Sequence, residues 1–213
     1  MFGKLIEKLK DLAKRPQVDP SQFDDPVALQ TQWTPLKPGG TNFKTHTLVP
    51  AYGQRLEFRM AMAARIFCAV FFIPGVGILI GGIVLAVKGT EGIWPLLFMC
   101  AFGTVFGSVG GGMYRHYNKP IVFDKGCGSF WKGRRDPRTV LENPSPQDIV
   151  PLDDVYAIQL LAEYCRSDKS SYTSYEMNLV RTDGSRENVI DHGNAKRIRA
   201  DARIVGDFLD VPV

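Results

Sequence analysis

Three histidines and four cysteines are the residues with acid–base or nucleophilic potential, and they are scattered along the 213-residue chain. Asp191 precedes His192, a pairing that can orient an imidazole for base work, but no serine or cysteine motif accompanies it. His46 and His116 stand apart. Cys127 lies in KGCGSF, two residues after Lys125, and a nearby cation can turn a thiol into a thiolate nucleophile. Without a neighbouring base, the simpler reading is an incidental turn cysteine. Asp153 and Asp154 end a loop as solvated carboxylates. Cys68 and Cys100 fall in apolar runs, and Cys127 and Cys165 lack CxxC spacing, so four free thiols in a reducing compartment are expected. GxxxxGK[ST], HExxH and GxGxxG are absent. The sequence therefore predicts a non-enzyme with no cofactor and no metal.

The stronger candidate is a group of cations, Lys125, Lys132, Arg134, Arg135 and Arg138, shortly after an apolar run. Such a group can bind lipid headgroups or an acidic partner, each cation near an anionic surface contributing about 1 kcal/mol. The alternative is that these cations only set membrane orientation. A net charge of +4 is too weak to suggest nucleic acid.

What must position that group is strongly segregated. Mean hydropathy is only -0.08, yet the apolar residues concentrate in Ile66–Val87 and Ile93–Met113, neither of which carries a charge. A bilayer core needs roughly 20 apolar helical residues, so each run fits one span. VKGTEGIW between them reads as a hairpin tip, with Trp94 at one interface and Tyr114 and Tyr117 at the other. Arg55, Arg59, Arg65, Arg115, Lys119, Lys125 and Lys132 flank the pair, against Lys88 alone at the tip. That bias predicts cytoplasmic termini. Gly77 with Gly81, and Gly103, Gly107 and Gly111, form GxxxG spacings expected to pack the spans on each other; a homo-oligomer seam is the other use.

Four segments follow. Residues 1–16 carry apolar and basic residues at helical spacing, an amphipathic helix that either lies on a membrane surface or packs on its own domain. Residues 17–54 read as a linker or irregular segment, with one partly alternating stretch at 41–49. Residues 55–117 hold the hairpin, with 55–64 extending the first helix. In residues 118–213, YEMNLVRT alternates, with Tyr175, Met177 and Leu179 on one side and Glu176 and Asn178 on the other. TDGS is a hairpin turn. An amphipathic helix capped by Asn194 follows, with Pro212 after its stop. The fold class is thus a membrane helical hairpin plus α+β: a small antiparallel sheet or partial barrel closed by a C-terminal helix.

The order FDKGCGSFWKG, IVPLDDVYAIQLL, YEMNLVRTDGSRENVIDHG and a helix ending FLDVPV resembles the pleckstrin-homology-like (PH-like) domains of bacterial two-span inner-membrane proteins, over residues 60–213. A complete barrel of that kind has seven strands. The resemblance implies a multi-pass protein of the bacterial inner membrane. It would act as a binding or scaffold module at the cytoplasmic face, with membrane lipids and a protein as partners. An inhibitor or immunity-type protein directed at one toxin or enzyme uses the same architecture.

Overall fold

The computed structural model describes residues 18–89, 92–139, 149–166 and 171–213. The expected helix at 1–16, and Thr90 and Glu91 of the hairpin tip, lie outside these residues. In chain order the elements are α1 (Pro26–Gln30), β1 (His46–Ala51), β2 (Arg55–Met60), α2 (Met62–Lys88), α3 (Ile93–Tyr117), β3 (Ile121–Asp124), β4 (Ser129–Lys132), β5 (Val150–Pro151), β6 (Val155–Arg166), β7 (Ser171–Arg181), β8 (Arg186–His192) and α4 (Ala195–Leu209). They form two compact units, one over Lys44–Ile149, the other joining the segment before Lys44 to Val150–Val213. Residue 118, the expected domain boundary, falls inside the first unit.

The first unit is organised by RLEFRM. Its strict polar–apolar alternation has the period of a strand, and Arg55–Met60 forms β2 rather than the expected helical extension. The helix begins only at Met62. Strands β1 to β4 pair antiparallel in sequence order, so β2 and β3 are neighbours although both long helices run between them. One face of this sheet buries Leu56, Phe58, Met60, Ile121, Phe123 and Phe130. The Phe123 and Phe130 rings lie 4.8 Å apart at 50°, a tilted contact of the favoured kind. The other face carries Arg55, Glu57 and Arg59. Glu57, only 6% exposed, pairs with Arg55 at 2.7 Å and Arg59 at 2.6 Å. Arg55 also stacks over the Trp131 ring at 5.2 Å.

Helices α2 and α3 are long and apolar enough to cross a membrane, and only 11% of each apolar window is buried. Ile66, Val70, Ile73, Phe98 and Val105 project outward. A core helix of a water-soluble domain would hide such side chains. Glycines bring the two backbones together, at the expected Gly103 and against the expected Gly107, and also at glycines outside the GxxxG spacings. A Cβ built on Gly75 would strike the Gly107 backbone. On Gly82 it would lie 3.1 Å from Met99 Cβ, on Gly103 2.7 Å from the Leu79 nitrogen, and on Gly110 2.5 Å from the Phe72 nitrogen. Gly103 is thus the one expected glycine whose own Cβ would clash. Gly77 meets nothing within 4 Å, while Gly81, Gly107 and Gly111 meet only ordinary contacts at 3.6, 3.8 and 3.5 Å. Cys68, Gly75 and Gly82 recur at every seventh residue, as do Gly103 and Gly110, and a repeat of seven keeps one stripe facing a partner helix.

In the second unit β6, β7 and β8 pair antiparallel. The Thr182–Ser185 turn places Gly184 at φ +77°, where other side chains are strained. One sheet face, with Ile158, Met177, Leu179 and Ile190, is covered by Ile198, Ala202 and Val205 of α4. Asn194 caps α4 as expected, its side-chain oxygen accepting from the Arg197 N–H at 3.0 Å. The opposite face is polar and also buried: Gln159, Glu163, Ser174, Glu176 and Asn178 are at most 5% exposed. The segment read as a linker covers it. The Glu176 carboxylate accepts N–H groups from Leu36 at 2.9 Å and Lys37 at 3.0 Å, and the Asn178 amide at 2.6 Å. Glu163 accepts the Gly39 N–H at 3.0 Å, and Gln159 donates to the Gln32 carbonyl at 3.0 Å.

Two expectations follow. Gly75→Leu or Gly110→Leu should cost about 2 kcal/mol of overpacking at the helix seam and lower the melting temperature in detergent, whereas Gly77→Leu should not. Glu176→Ala leaves three donors without their acceptor; it should destabilise the unit by about 3 kcal/mol and expose residues 31–41 to limited proteolysis, with Glu176→Gln milder.

Candidate functional site

The structure divides the five expected cations between the two ends of a short strand. Lys125 sits in the β3–β4 turn, its N–H donating to the Gln54 carbonyl at 2.8 Å. Arg138 folds back to that turn, donating to the Cys127 carbonyl at 2.8 Å and pairing with Asp136 at 2.6 Å. The Arg138 hydrogen bond holds the Asp136 carboxyl below its ordinary range, and the same contact raises the guanidinium's pKa. Arg138 is therefore committed to loop structure. Lys132 ends β4 at the opposite end, about 10 Å away by strand rise, and Arg134 follows it. Arg135 is exposed.

Arg134 belongs to a different constellation. With Glu57, Arg59, Met60, Arg65, Asn118 and Pro120 it lines a polar cleft of about 150 Å³ where the sheet meets the helices. Three guanidinium groups face one carboxylate, which Arg55 also shares. The cleft is positioned by very short connections. Ala61 alone separates β2 from α2, and its N–H donates to the Thr45 carbonyl at 2.8 Å; beyond α3, the Gly133 N–H donates to the Pro120 carbonyl at 2.8 Å. Arg65 also lines an apolar groove of about 350 Å³ on the helix pair, with Cys68, Ala69, Phe72, Ile73, Gly111 and Tyr114. Sequence reasoning used Arg59 and Arg65 only as topology signals. Their position at a strand-to-helix boundary becomes legible once RLEFRM is recognised as a strand.

A second cleft lies in the other unit. Phe23 and Trp33 stack at 4.8 Å and 9°, and the Trp33 indole N–H donates to the Ala28 carbonyl at 2.9 Å. Together with Tyr156, Ile158 and Val213 they bound a hollow of about 220 Å³. The Tyr156 hydroxyl donates to Asp25 at 2.7 Å, which holds the Asp25 carboxyl below its usual range. An adjoining hollow of about 350 Å³ adds the exposed Arg199 and Arg203 of α4 to Phe23, Trp33 and Val213.

The residues with catalytic potential do not converge. His192 is 2% exposed, and its Nδ1 accepts the Asn194 N–H at 2.8 Å, which braces the start of α4. His46 is 8% exposed on β1, beside the Thr45 hydroxyl at 2.9 Å. The Cys127 N–H donates to Asp124 at 3.2 Å within the turn. Asp154 accepts the Thr182 hydroxyl at 2.7 Å. Among the described residues no three His, Cys, Asp or Glu side chains are grouped to hold a metal. No protein-family model, curated protein or solved structure matches the chain.

Burial pushes the His46 pKa below its ordinary value of 6.5, and the nearby charges of Lys132 and His116 act in the same direction. The folded state thus prefers the neutral ring. The stability this confers is present above 6.5 and is lost as pH falls below it, at no more than about 1.4 kcal/mol per pH unit for one proton. Melting temperature should fall on acidification, and His46→Asn should flatten that dependence.

Proposed function

We propose that the chain is a membrane-anchored binding module. The observation carrying this reading is the helix pair itself: α2 and α3 turn large apolar side chains outward along their length while holding each other through glycines. Lipid is the solvent in which such a surface is stable. The cation bias on the flanks supports cytoplasmic termini and a tip on the far side, as in the bacterial inner membrane. The PH-like reading is supported by the kind of elements that follow the helix pair: antiparallel strands and then a closing C-terminal helix. Fold analogy does not specify the ligand. The hollow bounded by Phe23, Trp33, Tyr156, Ile158 and Val213, rimmed by Arg199 and Arg203, suits an apolar segment of a protein partner that also carries carboxylates.

The chain should stay with membranes through alkaline carbonate and be released by detergent. A Gly92→Cys variant should label from outside intact cells with an impermeant thiol reagent above the wild-type level, and Lys125→Cys only after lysis; the reverse pattern inverts the orientation. For the partner, full-length protein is recovered from detergent-solubilised membranes with and without Arg199→Glu and Arg203→Glu. Reversing the two charges should release the specific partner, whereas unchanged recovery removes this hollow as its site. A single stoichiometric partner would favour a dedicated inhibitor over a scaffold.

A further inference from the structure

The geometry points to a binding site for one anionic phospholipid at the junction of sheet and helices, with its phosphate in the Arg59–Arg65–Arg134 cleft and an acyl chain in the adjoining groove of α2 and α3. This rests on the membrane reading of the helices and goes beyond it, because an anchor needs no stoichiometric lipid.

Two observations carry it. The first is charge. Arg59, Arg65 and Arg134 line the cleft against Glu57, and that carboxylate is already paired at 2.7 Å with Arg55 and at 2.6 Å with Arg59. Arg65 and Arg134 therefore supply cationic charge that Glu57 does not balance. Planar guanidinium forks suit phosphate oxygens, and Asn118 adds an amide at the rim. The second is continuity. Arg65 lines both hollows, so its side chain stands where polar cleft becomes apolar groove. A phospholipid has the same division, a charged phosphate joined through glycerol to hydrocarbon. Arg65 lies in the first turn of α2, immediately before the uncharged run that starts at Ile66, the level at which headgroups end and hydrocarbon begins. A free phosphate would use the cleft and leave the groove without purpose.

Gly111 gives the groove its depth. A Cβ there would lie 3.5 Å from the Phe72 ring, an ordinary contact outside the clash-prone seam. A side chain at 111 therefore starts beside the Phe72 ring rather than in the seam between the backbones. This separates lipid binding from folding, since Gly111→Leu should leave the melting temperature intact.

The test is native mass spectrometry of the full-length protein, titrated in a neutral detergent with phosphatidylglycerol or phosphatidylcholine, and with glycerol 3-phosphate as the soluble phosphate. One phosphatidylglycerol should bind per chain in preference to phosphatidylcholine. Arg65→Gln with Arg134→Gln should weaken it by about thirtyfold, two surface cations' worth. Gly111→Leu should weaken the lipid while leaving glycerol 3-phosphate competition unchanged. Equal affinity for the two lipids, or indifference of lipid binding to both variants, overturns the proposal. Glycerol 3-phosphate binding as tightly as the lipid also overturns it, in favour of a soluble anion site. Carbonate extraction of the same variants reads the anchor separately: protein retained in the membrane without selective lipid binding rejects this site and keeps the anchor, and protein released rejects both.

Discussion

The pairing of β2 with β3 is the constraint on which the first unit depends. Arg55 to Phe58 align with Asp124 to Ile121, although both long helices intervene in the chain. Backbone hydrogen bonds across that pair bring the start of α2 and the end of α3 to one end of the sheet, through connections too short to relax. From there the helices can run together only if their backbones approach closely. Gly75, Gly82, Gly103 and Gly110 permit that approach. The cleft of arginines exists because the same junction brings strand, helix and loop residues to one place.

The second unit solves a different problem. A three-stranded sheet with one apolar face is ordinary, but here the polar face is buried too. Burying carboxylates such as Glu163 and Glu176 is tolerable only when hydrogen bonds replace lost water. The strap from Gln32 to Gly40 provides them: the Leu36, Lys37 and Gly39 N–H groups donate to the two carboxylates, and the Gln32 carbonyl accepts from the Gln159 amide. Each partner satisfies the other: the sheet face supplies acceptors to the strap backbone, and the strap takes the place of water over buried carboxylates. A stretch rich in proline and glycine suits this role, since it forms few hydrogen bonds within itself and leaves its donors available.

Much of this was legible in the sequence, and the failures have physical reasons. The two apolar helices, the alternating strand at Tyr175–Leu179, the Asp183–Gly184 turn and the Asn194 cap follow from local patterns with a single dominant cause. RLEFRM was misjudged because it abuts a long helix; its alternation is strict, but its partners lie far along the chain. The glycine seam was legible as a packing surface, with Gly103 and Gly107 in it, but spacings of four and of seven coexist in a glycine-rich helix, so Gly75, Gly82 and Gly110 were not singled out. The strap was legible only as a linker or irregular segment, because its order comes from side chains on β6 and β7. The cation group was visible as composition, but a strand rise separates its members, and Arg138 is consumed by Asp136.

The insertion of the helices between two paired strands also has a consequence for biogenesis. Strands β1 and β2 leave the ribosome before α2, and β3 and β4 only after α3. The sheet can close only when both helices have been made and, if they cross a bilayer, when their ends return to the same side of it. A chain that threads only one helix strands β2 and β3 on opposite sides, each with an open edge of unpaired backbone groups. Such edges are what chaperones and membrane proteases recognise in misassembled proteins. In a chain whose helices cross a bilayer, closure of this small sheet thus requires both helices to be inserted, a condition set by chain connectivity alone.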